Sequence, residues 1–147
     1  MSEGPPKYGE RLSSLLTGRR YGVRESAQWH ERILEGLPVA AIEKLKAVAA
    51  MTDTEIARLL GIGEATLRRA RASGGVLDSS TSDRLFRLSK VIAVALEVLE
   101  SEPNAMSWLR RPQPALGGQV PLDLLVTQAG AEEVESLLRR IDYGVYT

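Results

Sequence analysis

Residues 52–72 read TDTEIARLLGIGEATLRRARA, and the order of hydroxyl, apolar and glycine residues in this stretch decides the fold. Thr52 stands where a hydroxyl caps the start of a helix, and Glu55 follows three residues later, where its carboxylate can reach back to a free amide. This pattern predicts a helix from about Asp53. Gly61 predicts the end of that helix, because glycine adopts a positive φ at little cost.

A second helix is predicted over residues 64–72, with Gly63 as a permissive N-cap. Leu67 and Ala70 are expected to pack inward, against the first helix. The residues that this arrangement leaves for solvent or for DNA are Glu64, Ala65, Thr66, Arg68, Arg69 and Arg71. Two short helices joined by a glycine turn are typical of the helix-turn-helix, whose second helix lies in the DNA major groove. The sequence therefore predicts DNA binding, although a plain packing unit with a solvated basic face is the alternative.

Composition limits the functions that are open to the chain. The 147 residues are 44% hydrophobic, which suits one globular domain or two small helical ones that share a core. The net charge is zero, so the chain lacks the overall basic field of many nucleic-acid binders. With no cysteine and a single histidine, we expect no disulfide, no metal site and no cofactor. The longest apolar run, residues 91–96, is too short to span a membrane, and a signal peptide is not apparent, so we expect a cytoplasmic protein without a membrane partner.

The rest of the chain follows helical spacing, and no run is typical of a strand, so the predicted fold class is all-α. Breakers flank the only amphipathic pattern in residues 1–25, which are expected to be partly disordered. A long central helix is predicted from about Asp83 to Leu99, capped by Ser80 or Ser82. Further helices are predicted over residues 26–35, after Pro38, over 103–109, over 121–126, and after Gly130, where Glu132 and Glu133 begin a helix that ends near Arg139 and Arg140.

Three sets of residues extend the pattern beyond the two short helices. The first is Leu59-Leu60-Gly61-Ile62 with Thr66-Leu67-Arg68-Arg69, the second is Ser82-Asp83-Arg84-Leu85 with Arg87-Leu88, and the third is Trp108-Leu109, Leu116-Gly117-Gly118, Pro121-Leu122-Asp123-Leu124-Leu125, Gly130, Val134 and Tyr143-Gly144-Val145-Tyr146. Together they resemble the Xre-type antitoxins of RES/Xre toxin-antitoxin pairs, also called the MbcA/ParS-like group, over roughly residues 31–147.

The resemblance implies a homodimeric antitoxin that binds its own operator DNA and holds an NAD-degrading RES toxin from the same operon inactive. It also implies that the C-terminal end projects toward the toxin's active-site cleft. On this resemblance the chain divides into three parts: a partly disordered segment over residues 1–25, a helix-turn-helix DNA-binding domain over 26–76, and a central helix with a toxin-binding domain over 77–147. The expected toxin-binding residues are Arg139, Arg140, Tyr143, Gly144, Val145, Tyr146 and Thr147.

Three positions depart from the family pattern. Gly63 stands where a capping serine is usual, Gln113-Pro114 replaces a common asparagine, and Thr147 stands where alanine or serine is usual. None of these departures removes a chemical group that the implied role requires. The alternative function is a stand-alone helix-turn-helix regulator whose C-terminal half dimerises or senses a ligand. An enzyme has little support, because the sequence offers no nucleophile elbow, no metal-ligand set and no second histidine for acid-base chemistry.

Overall fold

A computed structural model describes residues 26–144 of the chain, and within that range the fold is all-α, as predicted. The only strand-like contacts there are two isolated bridges, Pro38 with Val76 and Gln113 with Gln119. The elements in chain order are α1 (Ser26–Glu35), α2 (Ala40–Ala49), α3 (Asp53–Leu60), α4 (Glu64–Ser73), α5 (Ser79–Leu99), α6 (Glu102–Leu109), a 3₁₀ turn (Pro114–Leu116), α7 (Pro121–Leu124) and α8 (Gln128–Asp142). The partial disorder predicted for residues 1–25 concerns a segment outside the described residues.

The long helix α5 forms the centre of the molecule. Residues 91–96 are all buried, and successive helical residues point about 100° apart, so other elements must surround α5 at this level. α8 and α6 cover one part of its surface, and α1, α2 and α3 cover another. The N-terminal and C-terminal parts of the described chain therefore share one core.

The start of α5 differs from the prediction. The cap expected at Ser80 or Ser82 is instead Asp78, whose carboxylate accepts a hydrogen bond from the backbone N–H of Thr81 at 2.7 Å. That hydrogen bond lowers the pKa of Asp78. Ser82 is fully buried, and its hydroxyl accepts a hydrogen bond from the backbone N–H of Leu37 at 2.8 Å. Because the Ser82 hydroxyl binds a backbone N–H in the connection between α1 and α2, it is not available to cap α5.

α1 lies on α5 through an aromatic contact and ends at a glycine that no other residue could replace without strain. The rings of Trp29 and Phe86 have centroids 5.5 Å apart. Gly36 has a φ of +102°, and a Cβ there would lie 2.3 Å from the carbonyl oxygen of Leu77. The chain after α1 therefore passes close against the segment before α5, and this contact places α2 beside the helix-turn-helix.

Gly130 was expected to interrupt the chain before the last helix, and that expectation is wrong. α8 begins earlier, where the hydroxyl of Thr127 accepts the backbone N–H of Gly130 at 3.0 Å, so the glycine lies inside the first turn. A Cβ at this position would lie only 2.0 Å from the carbonyl oxygen of Leu124. The glycine is needed because α7 and α8 pack closely here. Glu132 and Glu133 consequently lie in the second turn of α8, not at its positive end.

Thr52 caps α3 as predicted, but Glu55 does not complete the capping box. The hydroxyl of Thr52 accepts the backbone N–H of Glu55 at 3.1 Å. The Glu55 carboxylate binds the guanidinium of Arg110, with N–O distances of 2.8 and 2.9 Å, and this interaction lowers the pKa of Glu55. Arg110 also donates to the carbonyl oxygens of Ala49 and Ala50, at 3.1 and 3.2 Å. The residue after α6 therefore ties α6 to both α2 and α3.

Candidate functional site

The turn between α3 and α4 has the predicted geometry. Gly61 has a φ of +68°, and Gly63 is the extended N-cap of α4. Ile62 packs partly buried against the core between them. The turn also contacts α5, because the guanidinium of Arg84 donates to the carbonyl oxygen of Leu60 at 3.3 Å. The end of α3 and the turn after it are thus fastened to the central helix.

α4 is exposed along most of its surface. Leu67 is its only fully buried residue, with 1% of its surface accessible, and Ala70 packs partly buried against the core. Both face inward as predicted. Five of the six residues predicted to contact DNA lie on the surface, and these are Glu64, Ala65, Thr66, Arg68 and Arg69. Their contact with DNA stays a prediction.

Two arginines on this exposed face are available to a ligand. Arg68 has no hydrogen bond or ion pair to residues 26–144. The guanidinium of Arg69 donates to the hydroxyl of Thr66 at 3.2 Å. At the start of α4, the carboxylate of Glu64 accepts a hydrogen bond from the hydroxyl of Thr54 at 2.6 Å. A guanidinium can bind phosphate or the O6 and N7 of guanine, and a carboxylate can accept from cytosine N4, so the face carries groups suited to a major groove.

Arg71 was expected to face solvent or DNA phosphate, and the structure corrects this. Its Nε donates to Glu43 at 2.5 Å, and its two terminal nitrogens donate to Asp53 at 2.9 and 3.1 Å. Lys46 binds the same Asp53 carboxylate. The hydrogen bonds from Arg71, followed by the one from Lys46, lower the pKa of Asp53. The hydrogen bond to Asp53, followed by the one to Glu43, raises the pKa of Arg71. The physical reason is that Arg71 follows Leu67 by four residues and so shares its inward face.

The predicted toxin-binding residues lie in and after the last turn of α8. Arg139 and Arg140 are half-buried and stand at the negative end of the helix, as predicted. The Nε of Arg140 is buried and has no hydrogen-bond partner within residues 26–144. Tyr143 is 81% exposed, and Gly144 follows with a φ of +75°. Residues 145–147, which complete the predicted set, lie outside the described residues.

Over residues 26–144 the structure brings no three His, Asp or Glu side chains together in a way that could hold a metal ion. No helix in this same range is long and apolar enough to cross a membrane.

Two family models match this chain, and together they cover most of it. Residues 28–90 match the antitoxin Xre-like helix-turn-helix domain, and residues 94–144 match the C-terminal toxin-binding domain of the Xre/MbcA/ParS antitoxins. The chain is 30% identical to the antitoxin Xre of Yersinia enterocolitica over 118 residues, which is 80% of each protein.

The chain belongs to the Xre antitoxin family.

Other relatives of this antitoxin match over an even larger share of the chain. It is 29% identical to the antitoxin Xre of Pseudomonas putida over 96% of this chain and 86% of that protein. It is 28% identical to a protein named Prs ADP-ribosylating antitoxin from a Sphingobium species, over 92% of this chain and 99% of that protein. The two matched domains meet inside α5, between residues 90 and 94, where the core is shared. The division of the chain at residues 76 and 77 stays a prediction.

Sequence reasoning missed Arg110 and misplaced Arg71, two arginines that join separate helices. Nothing local distinguishes Arg110, because its partners are more than fifty residues away in sequence. The position of Arg71 could have been predicted from sequence, because it follows Leu67 by four residues and so lies on the same face of α4.

Proposed function

We propose that this antitoxin neutralises a RES-domain toxin that degrades NAD, by covering the toxin's active-site cleft with its C-terminal region. We also propose that it acts in the cytoplasm as a homodimer and represses its own operon by binding operator DNA. In both roles it acts by binding and catalyses no reaction of its own.

The observation that carries the toxin proposal is the exposed end of α8 in the matched toxin-binding domain. α8 spans 15 residues, from Gln128 to Asp142, and its packing on α5 makes it a rigid support. Beyond the exposed Tyr143 and Gly144, residues 145–147 can extend at most about 10 Å. That length is enough for Val145 and the ring of Tyr146 to enter a cleft.

The choice of an NAD-consuming partner has support from chemistry. NAD is a donor of ADP-ribose, and the Sphingobium relative's name refers to ADP-ribosylation. The third set of residues that resembles RES/Xre antitoxins, from Trp108 to Tyr146, lies almost wholly in the matched toxin-binding domain at 94–144. A RES toxin is therefore the partner that we propose.

The DNA proposal is supported by α4, whose face carries Arg68 and Arg69 on the surface of a matched helix-turn-helix domain. In this motif the exposed face of the second helix reads base edges in the major groove. A homodimer would place two such helices about 34 Å apart, on successive half-sites of an operator with approximate two-fold symmetry.

The toxin proposal is tested by co-expressing the chain with the open reading frame beside its gene, followed by a pull-down and a measurement of cellular NAD. We expect a stable complex and normal NAD levels. A variant that lacks residues 145–147 should still bind operator DNA but should leave NAD depleted. Full protection by the shortened variant would rule out occlusion by this segment, and failure to bind any RES protein at micromolar concentration would rule out the partner.

The DNA proposal is tested with a duplex that carries the sequence upstream of the gene. The double variant Arg68→Ala, Arg69→Ala should lose more than about 1 kcal/mol of operator affinity per base-reading arginine. Arg111→Ala removes one exposed arginine from the toxin-binding domain and serves as the control for lost charge. Gel shifts that the double variant leaves unchanged would show that α4 is not the recognition helix.

A further inference from the structure

α4 has little apolar packing to fix its orientation. Among its ten residues only Leu67 is fully buried, and its main packing partner is α3. A helix with one fully buried residue, and with Ala70 only partly buried beside it, is weakly constrained in its tilt. Any change in tilt would move Arg68 and Arg69 relative to the DNA, so a second anchor is needed for a defined reading geometry.

The second anchor is a cluster of four charged side chains from three helices, which we call the α4 clamp: Glu43, Lys46, Asp53 and Arg71. Arg71 lies one helical turn beyond Leu67, about 6 Å further along the axis. Its Nε binds Glu43 of α2 at 2.5 Å, and its terminal nitrogens bind Asp53 of α3 at 2.9 and 3.1 Å. Lys46 binds the same Oδ1 of Asp53 as one terminal nitrogen of Arg71. Two positive and two negative charges balance, so the clamp offers no net charge to attract a phosphate.

We propose that Arg71 is a positioning residue for DNA recognition: its guanidinium fixes the tilt of α4 against α2 and α3 and does not itself contact DNA. The proposal rests on the DNA-binding role of α4 given above. Arginine suits this task because its planar fork can bind two carboxylates in fixed directions, whereas lysine offers a single point charge. Partly exposed ion pairs add little to stability, and the Arg71 side chain is 33% exposed, so the clamp acts mainly on orientation.

The substitution Asp53→Asn distinguishes a positioning role of Arg71 from a DNA contact, because the two roles predict opposite changes in DNA affinity. It removes a negative charge beside the DNA-binding helix. If Arg71 contacted a DNA phosphate, the Asp53 carboxylate would compete with that phosphate for the guanidinium. The variant would then bind the upstream duplex more tightly. Because the clamp positions α4, we expect the variant to bind this duplex more weakly, about tenfold, the size of one lost base contact.

The substitution Arg71→Met separates the two roles by the dependence of affinity on salt. An arginine that contacts phosphate contributes about 0.9 to the slope of log affinity against log salt concentration. We expect Arg71→Met to lower affinity for the upstream duplex about tenfold while this slope, and affinity for an unrelated duplex, stay as in the unmodified chain. Arg71→Lys keeps the charge without the fork, so it should resemble Arg71→Met. Arg111→Met is the matched control for loss of one positive charge and should change neither quantity.

Thermal unfolding of each variant checks that it folds. If Arg71→Met is unfolded at the assay temperature, the results for Arg71→Lys and Asp53→Asn decide whether Arg71 positions α4 or contacts phosphate. Tighter binding by Asp53→Asn, or a slope lowered by about 0.9 in Arg71→Met, would overturn the positioning role and make Arg71 a phosphate contact. Unchanged affinity in the Arg71 variants, with binding lost in the Arg68 and Arg69 double variant, would overturn the positioning role alone. Unchanged affinity in all of them would overturn the DNA-binding role of α4 itself.

Discussion

The substitution Gly130→Ala sets two effects against each other, and the structure decides between them. Alanine is the better helix former, and replacing a glycine inside a helix gains about 0.8–1.0 kcal/mol where there is space. At Gly130 there is none, because the added Cβ would lie 2.0 Å from the carbonyl oxygen of Leu124 and 2.9 Å from its carbonyl carbon. The obstacle is backbone, which cannot rotate away as a flexible side chain can.

The size of the loss follows from the same geometry. Real Cβ atoms essentially never approach other atoms closer than 3.0 Å, so α7 and α8 must separate by about 1 Å. Overpacking a filled site costs about 1–3 kcal/mol, and a fixed backbone obstacle belongs at the upper end of that range. After the gain in helix propensity, the net loss is about 2 kcal/mol. For a domain of this length that corresponds to a fall in melting temperature of about 8 °C.

Thermal unfolding followed by circular dichroism measures this loss. Gly75→Ala is the matched control, because a Cβ at Gly75 meets nothing within 4 Å and its φ is not positive. We expect this control to melt at or slightly above the temperature of the unmodified chain, since alanine reduces the entropy of the unfolded state. Separation of α7 from α8 should also weaken toxin capture in a pull-down by Gly130→Ala. A Gly130→Ala protein that melts as high as the control would refute the close approach of these two helices.

Two further predictions concern the contacts around α3 and α4. Arg110→Met should cost about 1 kcal/mol at neutral pH, because charge-assisted hydrogen bonds are strong but this pair is partly exposed. Since Arg110 lowers the folded-state pKa of Glu55, its contribution is complete above the unfolded pKa of about 4.3 and is lost as pH falls through the lower folded value. Melting curves of the variant and the unmodified chain should therefore converge as pH falls below about 4, and a pH-independent difference would exclude the pair as the cause. Gly63→Ser should raise stability by a few tenths of a kcal/mol, because its hydroxyl can accept a backbone N–H of α4, whereas a rise of the same size in Gly63→Ala would show that capping is not the reason.

The helix-turn-helix could be predicted from sequence because its signals are local. Thr52 caps the helix that begins at the next residue by binding the backbone N–H of Glu55, and Gly61 and Gly63 act on their immediate neighbours. The start of α3 at Asp53 and that of α4 at Glu64 follow from those residues alone, and the structure confirms both. Local physics determined these elements, so no knowledge of the remaining chain was needed.

The errors fall where a residue's role depends on a distant partner. Gly130 resembles a helix breaker in sequence, and only the close packing of α7 on α8 explains why it lies within a helix. The cap of α5 was expected at Ser80 or Ser82, but Asp78 caps the helix and the Ser82 hydroxyl binds the buried backbone N–H of Leu37. Arg71 is the exception. Leu67 and Arg71 are four residues apart in sequence, so helical geometry alone places them on one face of α4.

The first turn of α3 connects the two functional parts of the antitoxin. Asp53 in this turn binds Arg71 of α4, and Glu55 in the same turn binds Arg110, which follows α6. A second ion pair joins the same helix to the toxin-binding domain, with Arg58 of α3 3.2 Å from Asp123 of α7. α4 and the toxin-binding domain are therefore both bound by carboxylates two residues apart on one short helix. These charges are partly exposed, so salt screens this part of the connection, whereas the buried apolar core that the two parts share is not screened.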